Sequence, residues 1–158
     1  MSLPSGTTGY LKIDPQGATG IIGTVTFGES GTGRFQSCLP LQTPSHNEFI
    51  LGHLANGTLG DIGFYTGVAV VNPANTTQIV KLKAYNQYGA LLDDQNLTLQ
   101  ARSRRVFLLD QVMPGLTSLF GGYLIVDNTT ASAGTLVFEL FGDTGFQFLS
   151  AVPAVPLD

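Results

Sequence analysis

Few residues of this chain have the types and spacing that catalysis requires. Nucleophilic hydrolysis needs a serine or cysteine beside a histidine that an acid orients. The chain has two histidines, His46 and His53, one cysteine, Cys38, and no G-x-S-x-G nucleophile segment. A long-range triad around His53 stays open as a hypothesis. We expect instead that His53 bonds backbone in the loop before Gly57 and that Cys38 is a small core residue, so the sequence predicts no enzyme.

Metal ligands are equally sparse. A zinc site needs two or more histidines or cysteines at ligand spacing, and the sequence has none so placed. Asp93 and Asp94 are the best calcium candidates, but successive side chains on a strand point to opposite faces, so both could bind one ion only in a loop. We interpret them as a solvated turn. The sequence predicts no metal and no cofactor.

The basic cluster consists of Arg102, Arg104 and Arg105. If this segment is a strand, Arg102 and Arg104 share one face and Arg105 lies on the other. We expect a carboxylate partner, Asp93 or Asp94, across a hairpin. Binding of an anion or a glycan is the alternative.

A second candidate binding site lies at a predicted turn, where Tyr85, Asn86, Gln87 and Tyr88 are consecutive. Sugar sites combine exposed aromatic rings with hydrogen-bonding side chains, and this segment offers two rings and two amides. The alternative is that the tyrosines lie at the edge of the core. Four N-x-Thr triplets, at Asn56, Asn75, Asn96 and Asn128, follow from the turn and strand composition rather than from glycosylation.

Composition excludes several classes of function. The net charge of −4 argues against electrostatic binding to nucleic acid or to an anionic membrane. Charged residues are 11% of the chain, against about 25% in ordinary soluble domains, so Thr, Ser, Asn, Gln and Gly must cover the surface. That composition is common in secreted all-β modules. No apolar run approaches the roughly 18 residues of a membrane span, and residues 1–8 are predicted to be a disordered leader without signal-peptide features.

Short runs rich in β-branched and aromatic residues, separated by turn residues, predict an all-β chain. Between Thr77 and Tyr85 apolar residues alternate with lysines, as on a half-buried strand. Strands are predicted at 9–14, 20–28, 33–39, 47–52, 64–72, 77–87, 91–99, 104–109, 121–127, 134–142 and 146–152. At most one short helical turn is predicted, near 110–116. This spacing predicts a two-sheet antiparallel β-sandwich, immunoglobulin-like or related.

One segment occurs twice. GYLKID at 9–14 returns as GYLIVD at 122–127, and residues 9–40 overlay 122–153 at an offset of 113 with eight identities. The triplet beginning at Phe27 fits the one beginning at Phe141 better at an offset of 114. We therefore expect one three-strand block in two copies, with Tyr10 and Tyr123 in equivalent places, although any two β-hairpins share some pattern.

The repeat leaves two domain organisations open. Residues 9–40 either complete a single sandwich domain that spans 9–158, which we favour, or form the tail of a preceding repeat. An isolated three-strand piece would expose its edges and one apolar face, and for that reason we favour the single domain.

Two segments carry a resemblance to a known kind of protein: FILGHLANG at 49–57 and FYTGVAVVNP at 64–73. They resemble repeats of large secreted or surface proteins of environmental bacteria, and the similarity covers about 47–155. Here Ile50-Leu51-Gly52 stands where those repeats more often place an aromatic residue and a proline. The resemblance implies an uncharacterised extracellular β-sandwich module, often in tandem, and it brings no catalytic residues.

The sequence therefore predicts a non-catalytic structural or adhesive module that is secreted or lies on the cell surface. Its expected partners are neighbouring domains of a longer chain or other surface proteins, and neither nucleic acid nor membrane insertion is expected. A homodimer through a sheet edge is left open. The alternative function is a carbohydrate-binding module that uses Tyr85, Asn86, Gln87 and Tyr88.

Overall fold

The computed structural model describes residues 9–17, 19–29, 31, 33–43, 46–130 and 134–157, so the predicted leader lies outside the described residues. Within these ranges the chain forms strands and one helical turn. The strands are β1 Thr24–Gly28, β2 Gln36–Pro40, β3 Glu48–Leu51, β4 Ala55–Leu59, β5 Ile62–Val71, β6 Gln78–Tyr85, β7 Leu91–Leu99, β8 Arg104–Leu108, β9 Leu119–Phe120, β10 Tyr123–Asn128, β11 Leu136–Asp143, β12 Leu149–Pro153 and β13 Val155–Pro156. The helical turn, α1, is Leu109–Val112.

The strands build two antiparallel sheets. The five-stranded sheet has the order β13-β3-β10-β6-β7, and the six-stranded sheet has the order β12-β11-β5-β4-β9, with β8 also paired to β5. β1 and β2 form a hairpin of their own. The predicted all-β sandwich is therefore confirmed. No helix among the described residues is long and apolar enough to cross a membrane.

The core lies between the inner faces of the two sheets. Alternation places every second residue of β6 inward, so that Val80, Leu82 and Ala84 are fully buried while Lys81 and Lys83 point outward. β10 contributes its alternate residues in the same way. The segment after β8 adds apolar residues to the same core, namely Leu109, Met113, Leu116 and Leu119.

Most predicted strands are present, and 91–99 is observed with those bounds. The predicted helical turn near 110–116 is observed slightly earlier, at Leu109–Val112. Three strands, β4, β9 and β13, were not predicted. β4 contains Asn56-Gly57, which normally signals a turn; Gly57 has φ +118°, and a Cβ there would lie 2.7 Å from the Thr117 carbonyl oxygen.

The predicted strand at 9–14 is wrong, and Tyr10 and Tyr123 are not equivalent. Residues 9–14 form no strand, and Leu11 is 77% exposed. GYLIVD, by contrast, lies in β10 between β3 and β6, with Leu124 fully buried. The two segments differ in their neighbours, because a strand needs partners for its backbone groups and the described residues supply none to 9–14.

The rest of the block repeats in geometry. The first hairpin (β1–β2) and the last hairpin (β11–β12) pair alike: Phe27 lies opposite Ser37, and Phe141 lies opposite Ser150. A Cβ at Gly28 would lie 2.6 Å from the Phe35 carbonyl oxygen, and one at Gly142 would lie 2.8 Å from the Phe148 carbonyl oxygen. β1 thus matches β11 at an offset of 114, whereas β2 matches β12 at 113.

The first hairpin lies beside the last one. The Ala151 backbone N–H donates a hydrogen bond to Ser37 Oγ at 2.8 Å. Arg34 lies near the turn of the first hairpin, and its pKa is raised mainly by the hydrogen bond and the charge of Glu29. The charge of Asp143, in the turn of the last hairpin, raises the Arg34 pKa further, so the two turns are close. The two hairpins are therefore neighbours with their turns at the same end.

Candidate functional site

The predicted sugar-binding turn lies between β6 and β7, and its centre is Asn86. The Asn86 Oδ1 accepts hydrogen bonds from the backbone N–H groups of Tyr88 and Ala90, at 2.9 and 3.0 Å. The Gly89 N–H donates to the Asn86 carbonyl at 3.0 Å, and Gly89 has φ +81°. The amide oxygen of Asn86 is thus occupied in closing the turn, and Asn86 is a positioning residue of this loop.

Tyr85 forms a parallel stack with a tyrosine that the sequence analysis did not place at this site. Its ring lies 4.9 Å from that of Tyr123, with 13° between the ring planes, across the β6–β10 pair. Close approach of the chain here requires glycine: Gly122 has φ +108°, and a Cβ on it would overlap the Tyr85 carbonyl oxygen. The alternation of GYLIVD, which puts Tyr123 on the outward face with Asp127, could have revealed this neighbour.

Tyr88 is 84% exposed at the tip of the same turn, and Gln87 is also exposed. The Tyr123 hydroxyl lies 3.8 Å from where a Cβ on Gly89 would be, which brings the stacked pair next to the tip. We call Tyr85, Tyr88 and Tyr123 the tyrosine patch. The Tyr85 and Tyr123 rings are parallel and stacked on each other, and with the exposed Tyr88 ring and the Gln87 amide they suit a ligand that has an apolar face and hydroxyl groups.

The outward face of the five-stranded sheet continues from the patch with paired charges. Lys83 Nζ donates to Asp127 Oδ2 at 3.0 Å, and this bond raises the Lys83 pKa. Lys81 Nζ lies 2.5 Å from Asp94 Oδ2. Asp94 is therefore the partner of a lysine, and the predicted pairing of Asp93 or Asp94 with the arginines is wrong, because β7 pairs with β6 and not with β8.

The three arginines do not converge. Arg102 lies in the turn before β8 with φ +53°, and its Nε donates to Asn75 Oδ1 at 2.6 Å. Arg104 and Arg105 follow on successive faces of β8, opposite Val71 and Val70. A site that clamps an anion needs several donors aimed at one point, and these side chains do not provide it.

The predicted solvated turn at Asp93 and Asp94 is wrong, because both aspartates lie in a strand. Asp93 and Asp94 lie in β7 on opposite faces, and Asp93 Oδ1 accepts from Gln95 Nε2 at 3.3 Å. In the part of the chain that the structure describes, no three His, Cys, Asp or Glu side chains group as metal ligands do.

His53 is exposed and packs on an aromatic ring. Its ring centroid lies 4.5 Å from that of Phe141, at an angle of 57°. The expected bonds from its ring to backbone are not found among the described residues. Phe141 in turn contacts Phe148 at 5.7 Å, and Phe148 contacts Phe64 at 6.2 Å. These rings meet at 50° to 68°, so they pack against one another and do not form a flat platform.

Cys38 is exposed, so its predicted core position is wrong. Alternation along β2 explains this: Ser37 and Leu39 share the face of Phe27, and Cys38 points the other way.

The motif residues behind the family resemblance have structural roles. Asn72, of the Val-Asn-Pro segment, is fully buried and its Nδ2 donates to the carbonyls of Thr76, Leu99 and Gln100. Asn56 is 3% exposed and donates to the Leu116 carbonyl at 2.8 Å. The burial of Asn56 also leaves no room for a glycan at that triplet, which agrees with the interpretation of the triplets as strand and turn composition.

A groove of about 580 Å³ opens where the β4–β5 and β11–β12 turns meet the segment after β8. Phe64, Tyr65 and Phe146 supply rings, and Asp110 supplies its one carboxyl group. The buried Oδ1 of Asp110 has no hydrogen-bond partner among the described residues. Glycoside hydrolysis uses a pair of carboxyl groups, and the described lining of the groove supplies one, that of Asp110.

Glu139 is the carboxyl group with the most altered environment. It is fully buried on the inner face of β11, and both its oxygens lack a hydrogen-bond partner among the described residues. Burial raises its pKa to about 8. Such a shift marks a catalytic group when the residue lines a cleft. Glu139 instead has the apolar Val68 and Val152 opposite it, and it is not among the residues that line the groove.

Comparison with known proteins supports the fold alone. No family model matches the chain, and no curated protein matches its sequence. Among solved structures, the crystal structure of Thermotoga maritima 1070 is similar with a TM-score of 0.54. The match covers 72% of this chain and 96% of that chain, at 8% sequence identity. This chain therefore shares a fold with that bacterial protein.

Proposed function

We propose that this chain is a non-catalytic extracellular module with a structural or adhesive role, of the immunoglobulin-like type that occurs as a repeat in large bacterial surface proteins. The observation that carries the proposal is the first hairpin: a copy in geometry of the last hairpin, placed along its edge through Ser37 and Ala151. A second hairpin of the same geometry, held beside the edge of the six-stranded sheet by a side-chain bond, suits a protein that is built from repeated units.

The distribution of polar groups supports the same proposal. The buried asparagines Asn56 and Asn72 bond backbone, and Asp143 accepts bonds from the amides of its own turn. The residues on which a hydrolase would depend, His53 and Cys38, are both exposed, and the His53 ring packs on Phe141. Polar side chains thus close turns and strand ends, and the working surfaces left are edges and loops.

Location and catalysis can be tested separately. Antibodies against the chain should label intact cells of the source organism or its culture medium; labelling only after lysis would contradict the proposal. The purified chain should turn over no ester, glycoside or peptide substrate. Turnover that disappears in His53→Ala but persists in His46→Ala would show an enzyme instead.

Carbohydrate binding at the tyrosine patch is the second candidate, because the Tyr88 ring is 84% exposed beside the Tyr85–Tyr123 stack, and sugar rings stack on exposed aromatic rings. A panel of insoluble polysaccharides tests it by pull-down. Binding should fall at least about tenfold in Tyr88→Ala and in Tyr123→Ala, which corresponds to one lost stacking contact. Tyr10→Ala is the matched control, since Tyr10 is exposed far from the patch and bonds the Arg102 carbonyl. Equal loss in the control, or no binding at all, would reject this function.

A further inference from the structure

The free edge of β1 has its backbone groups directed outward. The hydrogen bonds from Leu41 N–H to the Gly23 carbonyl and from Glu29 N–H to the Phe35 carbonyl fix which residues of the first hairpin are hydrogen-bonded pairs. These pairs alternate along an antiparallel ladder, so the residues between them turn their N–H and C=O groups away from the partner strand. On β1 these are Thr24, Thr26 and Gly28, and no described strand pairs with them.

This edge lacks the features that protect four other described strand edges, those of β7, β8, β9 and β13. Edges that must not pair are protected by charges, by proline or by shortness. β7 carries Asp93 and Asp94, β8 carries Arg104 and Arg105, β13 contains Pro156, and β9 has two residues. β1 has the sequence TVTFG, without charge or proline.

The segment that leads into β1 extends the same uncharged surface. Residues 21–27, IIGTVTF, are seven residues of mostly high β propensity, and Ile22 is 92% and Val25 47% exposed. The first charge after the strand, Glu29, is paired with Arg34 at 2.6 Å. Two copies of this edge can therefore approach each other without opposing like charges.

In the last hairpin, the corresponding strand edge forms backbone hydrogen bonds to a neighbouring strand. The edge of β11 that corresponds to the free edge of β1 is fully paired with β5, from Leu136–Val71 to Asp143–Phe64. A matching partner for this edge would be another strand without charge or proline. β1 of a second molecule is such a strand.

We infer that the free edge of β1 is an interaction surface that pairs antiparallel with β1 of a second copy of this chain. The pairing would join two hairpins into a four-stranded sheet, β2-β1-β1-β2, with twofold symmetry. The inference goes beyond the proposed function, since it requires neither an extracellular location nor sugar binding.

Sedimentation of the full chain over a concentration series tests the pairing. The wild type should form a dimer. Thr26→Pro removes an outward N–H without touching the bonds to β2, and it counts twice in a symmetric dimer, so the dissociation constant should rise by about 30-fold. Thr26→Val keeps the backbone donor and the β propensity, so it should dimerise like the wild type. A monomer at about 100 µM, or equal dimerisation of all three proteins, would overturn the inference.

Two controls keep that result interpretable. Near-UV circular dichroism and the thermal transition should be unchanged in Thr26→Pro, because the first hairpin lies outside the main core. If the proline disturbs the hairpin, Thr26→Lys gives a second test. This variant should dimerise more weakly because the two lysines repel each other, and added salt should partly restore dimerisation by screening them. A dimer that survives both substitutions would contradict pairing through β1.

The exposed Cys38 on β2 permits a direct measurement of geometry. It lies one strand from β1, opposite Thr26, so two copies should be separated by three strand spacings, about 14 Å between backbones when the registers match. A spin label on Cys38 should therefore report a short intermolecular distance that is lost in Thr26→Pro. A dimer whose labels lie more than about 40 Å apart would place the contact elsewhere and overturn the inference.

Discussion

The first and last hairpins have the same local geometry and opposite surroundings. Both place phenylalanine opposite serine, and both bring a glycine against the carbonyl of a phenylalanine. Yet Val25, on β1, is 47% exposed, whereas Glu139, at the corresponding position of β11, is fully buried. The apolar side chain lies in solvent, and the ionisable one lies in the core.

This difference shows that the register of a hairpin and the burial of its side chains have different causes. Turn residues and a few close contacts within each hairpin fix its register, so a similar sequence gives a similar hairpin. Burial depends on distant strands: β5 and the five-stranded sheet cover the last hairpin, while the first hairpin lies beside β12 at the edge of the six-stranded sheet and outside the core. Paired substitutions at corresponding positions should therefore differ strongly in effect.

The largest difference is expected at Glu139. Its pKa rises from 4.5 to about 8 on burial, so between these values the folded chain keeps a proton that the unfolded chain has released. The contribution of Glu139 to stability should therefore be greatest below pH 4.5 and should fall as the pH rises to 8, by roughly 5 kcal/mol in all. Chemical denaturation at pH 5 and pH 8 measures this.

Two variants sharpen that prediction. Glu139→Gln should remove most of the decrease between pH 5 and pH 8, because it cannot ionise. Val25→Glu introduces a carboxyl group at the corresponding exposed position, so the pH dependence of unfolding should stay that of the wild type. A wild type whose stability is flat over this range would show that Glu139 is ionised or solvated in the folded chain.

The next effect concerns the twice-occurring segment. Leu124→Ala should lower the free energy of unfolding by about 3 kcal/mol, because Leu124 is fully buried between the sheets. Leu11→Ala is the matched control from GYLKID, and at 77% exposure it should change stability by less than about 0.5 kcal/mol. Equal losses in urea denaturation would mean that residues 9–14 are also packed.

That contrast shows how far the sequence could predict the fold. Alternation identified β6, β7 and β10 because each buries one face, and periodicity reports a buried face directly. It could not place residues 9–14, since their pattern matches that of β10 while the partner strands are absent. β4 was missed for the opposite reason: Asn56-Gly57 signals a turn, but tertiary contacts hold it in a strand.

The candidate site was predictable only in part. The sequence indicated Tyr85 and Tyr88, because they are close along the chain. It could not show that Asn86 is committed to the turn, nor that Tyr123 completes the stack from a strand 38 positions away. The arginine pairing failed similarly: a charge cluster has a partner only when the sheet order is known, and β7 lies beside β6.

A smaller effect is expected from the glycines at the two strand ends. Gly142→Ala would put a Cβ 2.8 Å from both the Phe148 carbonyl oxygen and the Tyr65 hydroxyl, and it should cost about 2 kcal/mol of stability. Gly28→Ala makes the corresponding contact with Phe35 in the first hairpin, and the global transition should hardly change. If both variants unfold at the wild-type denaturant concentration, the last hairpin is no more firmly packed than the first.

The smallest expected effect on stability comes from the carboxyl group in the turn of each hairpin, Asp143 in the last and Glu29 in the first. Asp143 accepts bonds from the amides of Phe148, Gln147 and Gly145, and these bonds, that of Phe148 foremost, hold its pKa below the ordinary 3.8. The stabilisation is therefore present above pH 3.8 and is lost as the pH falls through the lowered value. Asp143→Asn should lower the melting temperature by a few degrees at pH 6 and by less at pH 2.

Glu29 occupies the corresponding place in the first hairpin, where it pairs with the exposed Arg34. Exposed pairs contribute little, so Glu29→Gln should leave the melting temperature unchanged at both pH values. Differential scanning calorimetry of the two variants shows whether Asp143 stabilises the protein through its bonds to backbone amides or only through its effect on the net charge. Equal shifts would mean that the net charge governs both turns, whereas a loss confined to Asp143→Asn at pH 6 would show that one carboxylate holds the last hairpin in its buried position.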